Sequence, residues 1–526
     1  MSAGEYLKVR NFARAICSVL ACNFMFSLGC GTPAASQPVA NSAQGPVKRE
    51  EHTDKPRSQS FADPAPPVSP KLKLQLPPQP KPHPRVTVHS KPKPLSPDAV
   101  THDWVSFLGP NHNGISSETK LLKKFGDGKP KLLWEMTKGT GYTSPAIQGN
   151  RLVYLHRLAD EGIVECLHPE SGEFYWEFRY PTQFEDRFGY NNGPRSSPVI
   201  DDNRVYIYSA ENKLFCLKLE TGQVYWQRDL AKEFRLTQDF FGTSTTPLIE
   251  GDLLIINVGA TGGPCVAAFE KRTGKVVWGA GDKWGPSYAS PVPATVHGRR
   301  RVFVFAGGES DPPTGGLLSI DPANGSVDFE FPWRSRVVAS VNASSPVIVG
   351  DQVFVSSNYF TGSALVKIKE DLTHEQAWTN KDLGTHWNTA IYKDGYFYGF
   401  DGHFEDDAAL VCIEAATGKT MWRKVPEWED VVTIRGEQRR VQMSTCRGTL
   451  LWVDGSFLCL GEFGHLLWLD LTPQGYMELS RTWLFEGRET WSPPVISKGL
   501  LYISQHTRGM INREQPRLLC YDLRGE

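Results

Sequence analysis

Four stretches of this chain repeat nearly one phrase: "HPESGEFYW" ending at Trp176, "KLETGQVYW" at Trp226, "EKRTGKVVW" at Trp278 and "EAATGKTMW" at Trp422. Each is an apolar strand, a Ser-Gly or Thr-Gly turn and a second strand closing on tryptophan. The recurrence at intervals of about fifty residues marks an array of like units, each too small to bury its own apolar face and so obliged to pack on its neighbours. The 48 glycines and 38 prolines suit short strands joined by tight turns.

Registering the units gives their number. Each begins with a small-residue-Pro step or its equivalent: "YTSPAI" (Pro145), "RSSPVI" (Pro198), "STTPLI" (Pro247), "YASPVP" (Pro291), "ASSPVI" (Pro346), "WNTAIY" (Ala390), "MSTCRG" (Cys446) and "WSPPVI" (Pro494). Those are eight starts. Within a unit, as in "NRVYIYSAENKLFCLKLETGQVYW", β-rich runs alternate with turns in the manner of a four-stranded propeller blade. The closing aromatics are Trp176, Trp226, Trp278, Trp333 or Phe329, Trp378, Trp422 and Trp483, one short of eight. The eighth unit runs through "LLYISQ" and "LLCYDL" and lacks a closing strand, while "KLLWEM" around Trp134 has that shape and no unit of its own. The expectation is an all-β, eight-bladed propeller over 101–526 whose last blade is completed by this N-terminal strand, removing exposed sheet edges. Cys166, Cys216 and Cys412 each lie six residues before a turn glycine, with Ala268 and Ser319 in the same place elsewhere, so the position reads as a small core residue.

The first hundred residues differ. Lys8, Arg10 and Arg14 precede the apolar run 15–29, too short to span a bilayer as a helix but suited to a secretory signal. The run stops at Cys30, and "SLGC" resembles a bacterial lipoprotein signal, which implies lipidation of Cys30. Residues 1–30 are therefore read as a signal peptide. Residues 31–100 carry sixteen prolines and are expected to form a disordered, extended tether.

The Gly-x-x-x-Trp endings, the eight units and the opening "DWVSFLGPNHNGISSETKLL" resemble the PQQ-like β-propeller repeat proteins. That superfamily shares its fold with quinoprotein alcohol dehydrogenases and with the propeller lipoprotein of the outer-membrane β-barrel assembly machinery; secreted planctomycete proteins have a similar opening. The resemblance covers 103–526 and implies a binding or scaffold module of the bacterial cell envelope, periplasmic or anchored to the outer membrane. The alternative it implies is a periplasmic PQQ-dependent oxidoreductase acting on alcohols or sugars. Such an enzyme is expected to hold PQQ between a tryptophan and a disulfide of adjacent cysteines, with Ca²⁺ beside a catalytic aspartate. No two cysteines are adjacent here, so no cofactor is expected under the first reading.

Net charge is -1, but the basic residues gather in the first hundred, which leaves the propeller acidic by about eight charges. That excludes nucleic acid as the main partner. In a propeller the segments before the innermost strands converge on one mouth of the axial channel. They carry Tyr142, Arg195, Tyr288, Asn342, His386, Trp387 and Trp491, a mixture of aromatic faces, a cation and hydrogen-bonding groups suited to an anionic or sugar-like ring or to a loop of an envelope protein. "DGHFEDD" (401–407) reads as a solvated hairpin loop and "TGKT" (417–420) as a turn, so no metal or phosphate site is expected. No catalytic residue is legible.

Overall fold

The computed structural model describes residues 67–70, 78–125, 128–260, 262–404, 407–434, 436–509 and 511–525. The expected signal peptide with Cys30, and the tether up to residue 66, lie outside them. Phe61–Pro426 and Ser444–Glu526 form one compact unit, and Glu427–Met443 belongs to another. Within the larger unit the strands form eight antiparallel sheets in sequence order. Blade 1 runs from Ala146–Gln148 to Phe174–Pro181, and blade 2 from Val199–Asp201 to Val224–Asp229. Blades 3 to 6 begin at Leu248, Val292, Val347 and Ile391, and blade 7 runs from Thr449–Val453 to Gly475–Trp483. The innermost strands of successive blades contact one another around the axis. The connections between blades and the hairpins between second and third strands share one face, here the upper; the other turns form the lower face.

Blade 8 closes the ring. Val495–Ser497, Leu500–Gln505 and Arg517–Asp522 are joined by Lys131–Thr137, with Trp134 opposite Cys520 and Tyr502 on the far side of Cys520. A fifth strand, Val86–Val88, pairs outside it. It comes from the proline-rich region, so the expected boundary at residue 100 is corrected: residues 78–100 already lie on the propeller. Val68 bridges to Gln227 on the outer strand of blade 2, and Lys81 bridges to Phe174 on that of blade 1. Prolines suit such edge positions, where one side of the backbone needs no ladder bond.

A buried charge cluster fixes this strap. Glu165, fully buried in blade 1, accepts from His83 Nε2 at 3.0 Å and His156 Nε2 at 2.9 Å, and pairs with Arg85. The Nδ1 atoms of His83 and His156 accept backbone N–H groups of Arg85 and Gly139, so both imidazoles carry their proton on Nε2. Burial alone would raise the Glu165 pKa. The hydrogen bonds from His156 and His83, with the nearby Arg85 charge, instead hold it well below the carboxylate range.

The repeated Gly and Trp now have a cause. Trp176, Trp226 and Trp278 donate their indole N–H to backbone carbonyls of the next blade, at Leu219, Lys271 and Pro322, over 2.8, 3.2 and 2.9 Å. The turn glycine of that next blade lies against the indole face. A Cβ on Gly222 would stand 2.5 Å from Trp176 and one on Gly274 2.7 Å from Trp226, and both residues have positive φ. Trp134 does the same across the closure, donating to Pro169 O at 2.8 Å.

Two blades modify the pattern. In blade 4 the closing position belongs to Phe329, opposite Ser319, and not to Trp333. The following turn carries Leu372 in the glycine conformation (φ 66°), and Phe329 packs on His374 with ring centroids 4.5 Å apart. In blade 7 the expected Trp483 is out of register. The position holds Ser480, opposite Trp468, so large and small residues have exchanged strands.

The small-residue-Pro steps stitch the blades together. The backbone N–H of Ser144 donates to Ser197 Oγ (3.0 Å), Ser197 to Thr246, Thr246 to Ser290, Ser290 to Ser345 and Ser345 to Thr389 (3.2 Å), while Ser144 Oγ donates to Pro493 O. Blades 2 to 6 thus each satisfy a donor of the blade before. The opening segment closes the lower end of the channel. Trp104 exchanges backbone bonds with Ile147 of blade 1, Val105 accepts from Ile200 of blade 2, and Gly114 and Ser116 bond Trp452 of blade 7. Between them Phe107, Leu108 and His112 line a cavity of about 10 Å³ beneath Thr246, Ser290 and Ser345, room for roughly one water. Burial lowers the His112 pKa to about 4.

The hairpin Glu427–Ile434 and Glu437–Ser444 forms a separate two-stranded sheet whose second strand is largely exposed. Among the described residues no helix is long and apolar enough to cross a membrane.

Candidate functional site

The upper mouth gathers aromatic rings around the axis. Tyr142 stacks on Trp491 (centroids 5.1 Å, 28°), Trp491 neighbours Trp387 (5.9 Å) and Tyr190 (5.7 Å), and Tyr190 neighbours Phe241 (6.1 Å), which meets Tyr288 (5.6 Å). On the far side Tyr359 packs on His386 (5.2 Å) and His403 (4.5 Å). Five of the seven residues expected at this mouth, Tyr142, Arg195, His386, Trp387 and Trp491, are part of this crown. Tyr288 lies at its edge, half-buried, its hydroxyl accepting the Phe241 N–H at 3.1 Å. Asn342 is not in it: fully buried, its amide donates to Ala306 O and Trp333 O (2.9 and 3.0 Å) and so fixes a blade connection. An asparagine that caps two carbonyls and one that faces a ligand look alike in sequence.

Arg195 and Arg447 are each paired with a carboxylate, while Arg334, whose charge reaches Tyr359, Asp239 and Tyr288, donates to Ser340 and to Gly308 O. Arg195 lies over Tyr142 and Phe241 (5.3 and 5.5 Å) and binds buried Asp186 at 2.5 Å. Arg447 lies over Trp491 (5.5 Å) and donates to both oxygens of Glu462, from Nη2 at 2.8 Å and Nε at 3.1 Å. Glu462 also accepts Trp491 Nε1–H at 2.5 Å, and Glu489 accepts the Tyr142 hydroxyl at 2.5 Å. Further out, Arg187 grips Glu309 through two bonds (2.9 and 2.6 Å). Arg447 Nη1 lies 3.5 Å from His386 Nδ1, and since arginine only donates, His386 carries its proton on Nε2, toward the Tyr359 hydroxyl at 2.9 Å. Burial, then the Arg447 charge, holds the His386 pKa well below its ordinary value, so the imidazole stays neutral. Burial raises that of Asp239, at the crown's outer edge, to about 7, and the Glu309 charge adds to the effect.

Arg447, Glu462, Tyr190, Phe241, Tyr359 and His403 were not legible as site residues. Arg447 could have been found, because "STCRGT" precedes an inner strand as the other mouth segments do. The others reach the mouth from hairpins and long connections whose direction the repeat does not encode. The loop 401–407 contributes His403 to the crown, and the described residues hold no group of three or more His, Cys, Asp or Glu placed to bind a metal.

The family model described as outer membrane protein assembly factor BamB matches residues 160–424, just over half of the chain. The chain belongs to that family. An uncharacterized protein of Rickettsia conorii is 28% identical over 148 residues, 27% of this chain, which spans about a third (31%) of that relative's length. The outer membrane protein assembly factor BamB of Moranella endobia is 20% identical over 320 residues, 56% of this chain and 72% of that protein. The quinohemoprotein alcohol dehydrogenase of Comamonas testosteroni superposes with a TM-score of 0.55 at 11% identity, covering 81% of each chain, a likeness of fold alone. The same propeller fold thus serves an outer membrane protein assembly factor and a dehydrogenase, and fold does not choose between the two.

Proposed function

We propose that this protein is a recognition and scaffold module of the bacterial cell envelope that holds a partner protein on its upper face. The observation that carries this reading is the crown, in which the part-exposed Trp387, Trp491 and Arg195 and the exposed Tyr190 converge at the mouth over buried Tyr142 and Arg447. Those residue types dominate the energetics of protein interfaces. The match to an outer membrane assembly factor supports the same direction. Anchoring through an acylated Cys30 belongs to this proposal and is tested by acyl labelling of the wild type against Cys30→Ser.

Three observations weigh against the oxidoreductase reading. Tyr142, Trp491 and Trp387 occupy the mouth themselves, and the best-formed cavities among the described residues, one on the axis and one at the seam of blades 2 and 3, are about 10 Å³ each. A three-ring quinone needs far more. The cysteines 166, 216, 265, 412, 446, 459 and 520 are buried and form no disulfide. The paired arginines also weigh against an anionic ligand.

The deciding experiment deletes the gene in the source bacterium and complements it with wild type or with Arg195→Ala/Trp387→Ala. Loss of outer-membrane protein assembly or of a co-purifying envelope complex, restored by wild type and not by the double variant, is expected. Full restoration by the double variant removes the site. Retention of PQQ absorbance after desalting with Ca²⁺, together with dye reduction by alcohols or sugars, overturns the reading as a whole.

A further inference from the structure

Resting on that reading, we propose that the upper face is a trough across the axis that takes an uncharged, apolar loop of a partner protein, gripped from two opposite walls. One wall is the connection between blades 1 and 2, with Phe188 (53% exposed) and Tyr190 (52%). The other is formed by the hairpin tips of blades 5 and 6, with Phe360 (96%) and Phe404 (63%), beside Val337 and Val338 of the preceding connection. In a ring of eight, these walls stand four blades apart and face each other. The crown is the floor between them.

The charge pattern identifies the occupant. Asp186, Glu462 and Glu309 already hold Arg195, Arg447 and Arg187, and Arg334 already donates to Ser340 and Gly308 O, so an incoming carboxylate or phosphate would have to break existing bonds, and an incoming cation would meet arginines. An uncharged loop disturbs none of these pairs and gains the apolar contacts of both walls. A small molecule is disfavoured because the two best-formed cavities among the described residues lie elsewhere and hold about 10 Å³ each. A lipid surface would use the tips but leave the recessed Trp, Tyr and Arg floor without a role.

The blade 5 tip supports the assignment independently. Tyr359 and Phe360 are consecutive residues with φ of 57° and 65°, the two central places of a hairpin turn that normally carries Asn-Gly. Each bulky residue there costs about 1 kcal/mol or more. The side chains so held are one fully protruding ring and one ring in the crown. A turn chosen for stability would carry neither.

The test uses the full chain in the cells that make it, with a photo-crosslinking phenylalanine at Phe188, Phe360 or Phe404 and, as control, at Gln148 on the lower face. The expected result is one partner polypeptide crosslinked from both walls through a single uncharged aliphatic or aromatic segment, and none from position 148. Phe188→Asp/Phe360→Asp should abolish the crosslink from Phe404 while the melting temperature is unchanged. Crosslinks only to lipid, to different proteins at the two walls, or to a charged segment overturn the trough. If the deletion phenotype of the preceding experiment persists under those results, the scaffold role stands and only this surface falls.

Discussion

Replacing Glu165 tests how the propeller is held shut. This one carboxylate accepts from His83, His156 and Arg85, so Glu165→Ala leaves three donors without their partner in a site that the side chain of Glu165 shares with no solvent. Breaking a buried charge pair from one side costs about 3–5 kcal/mol. A body of roughly 430 residues unfolds with an entropy near 0.9 kcal/mol per kelvin, so the expected fall in melting temperature is about 3–6 °C. The damage should be local. His83 and Arg85 belong to the strap, and the strap pairs Val86–Val88 with the closing strand. Amide exchange should therefore accelerate at Val86–Val88 and Glu135 well before the strands of blade 4. Acid should act in the same direction. Glu165 has a depressed pKa, so its contribution is complete above the ordinary carboxylate range and fades as pH falls toward the folded value. His156, held neutral mainly by burial, also has a depressed pKa, so stability drops as pH passes below about 6.5. Lys138 and Arg85 face this site and add to the cost of a protonated His156. A Glu165→Ala chain that melts within a degree of wild type, or whose exchange rises equally in all blades, would refute the clasp.

Other positions separate the remaining causes. Gly274→Ala places a Cβ 2.7 Å from the Trp226 ring at φ 75°, whereas Gly350→Ala meets nothing within 4 Å at φ 60°; denaturant melts should show about 2–4 kcal/mol lost in the first and about 1 in the second. Trp468→Ser should cost about 3–5 kcal/mol by opening a cavity. The double exchange Trp468→Ser/Ser480→Trp should recover part of it, a positive coupling in a double-mutant cycle. Ser345→Ala orphans the buried N–H of Ser290 and should lose about 1–3 kcal/mol, measured against Ser345→Thr, which keeps the acceptor.

What was legible in the sequence was whatever each blade needs from its neighbour. A tryptophan that must bond the next blade's turn, a glycine that must lie flat against it and a hydroxyl that must accept the previous blade's N–H all recur because the contact recurs. The eight unit starts gave the count, and the surplus Trp134 gave the closure. The exceptions follow the same logic. Phe329 has no indole N–H and meets a turn without glycine, and Trp468 trades places with Ser480 at constant volume. Periodicity could not foresee the strap at 78–100, because an added edge strand obeys no repeat, and proline content alone argued for an unfolded chain. The crown was half legible: residues on the repeating connections were found, while Tyr190, Phe241, Tyr359 and His403 sit on loops whose lengths differ from blade to blade.

That difference between repeated and unrepeated residues also indicates which face meets a partner. On the lower face the opening segment spends its own backbone bonds on blades 1, 2 and 7 and brings Phe107 and Leu108 beneath the hydroxyl ring, so the apolar surface there is already covered. On the upper face the hairpins depart from the repeat, and those of blades 5, 6 and 7 carry Tyr359, Phe360, Phe404 and Phe463, including two bulky residues in a turn that favours glycine. Self-association would otherwise be the expected fate of such a surface. The trough therefore predicts a concentration dependence that can be measured directly. Light scattering of the purified full chain should show growing assemblies in the absence of the partner, and Phe360→Asp/Phe188→Asp should keep it monomeric, whereas a chain that stays monomeric at high concentration with both rings intact would mean that these rings are not a sticky surface at all.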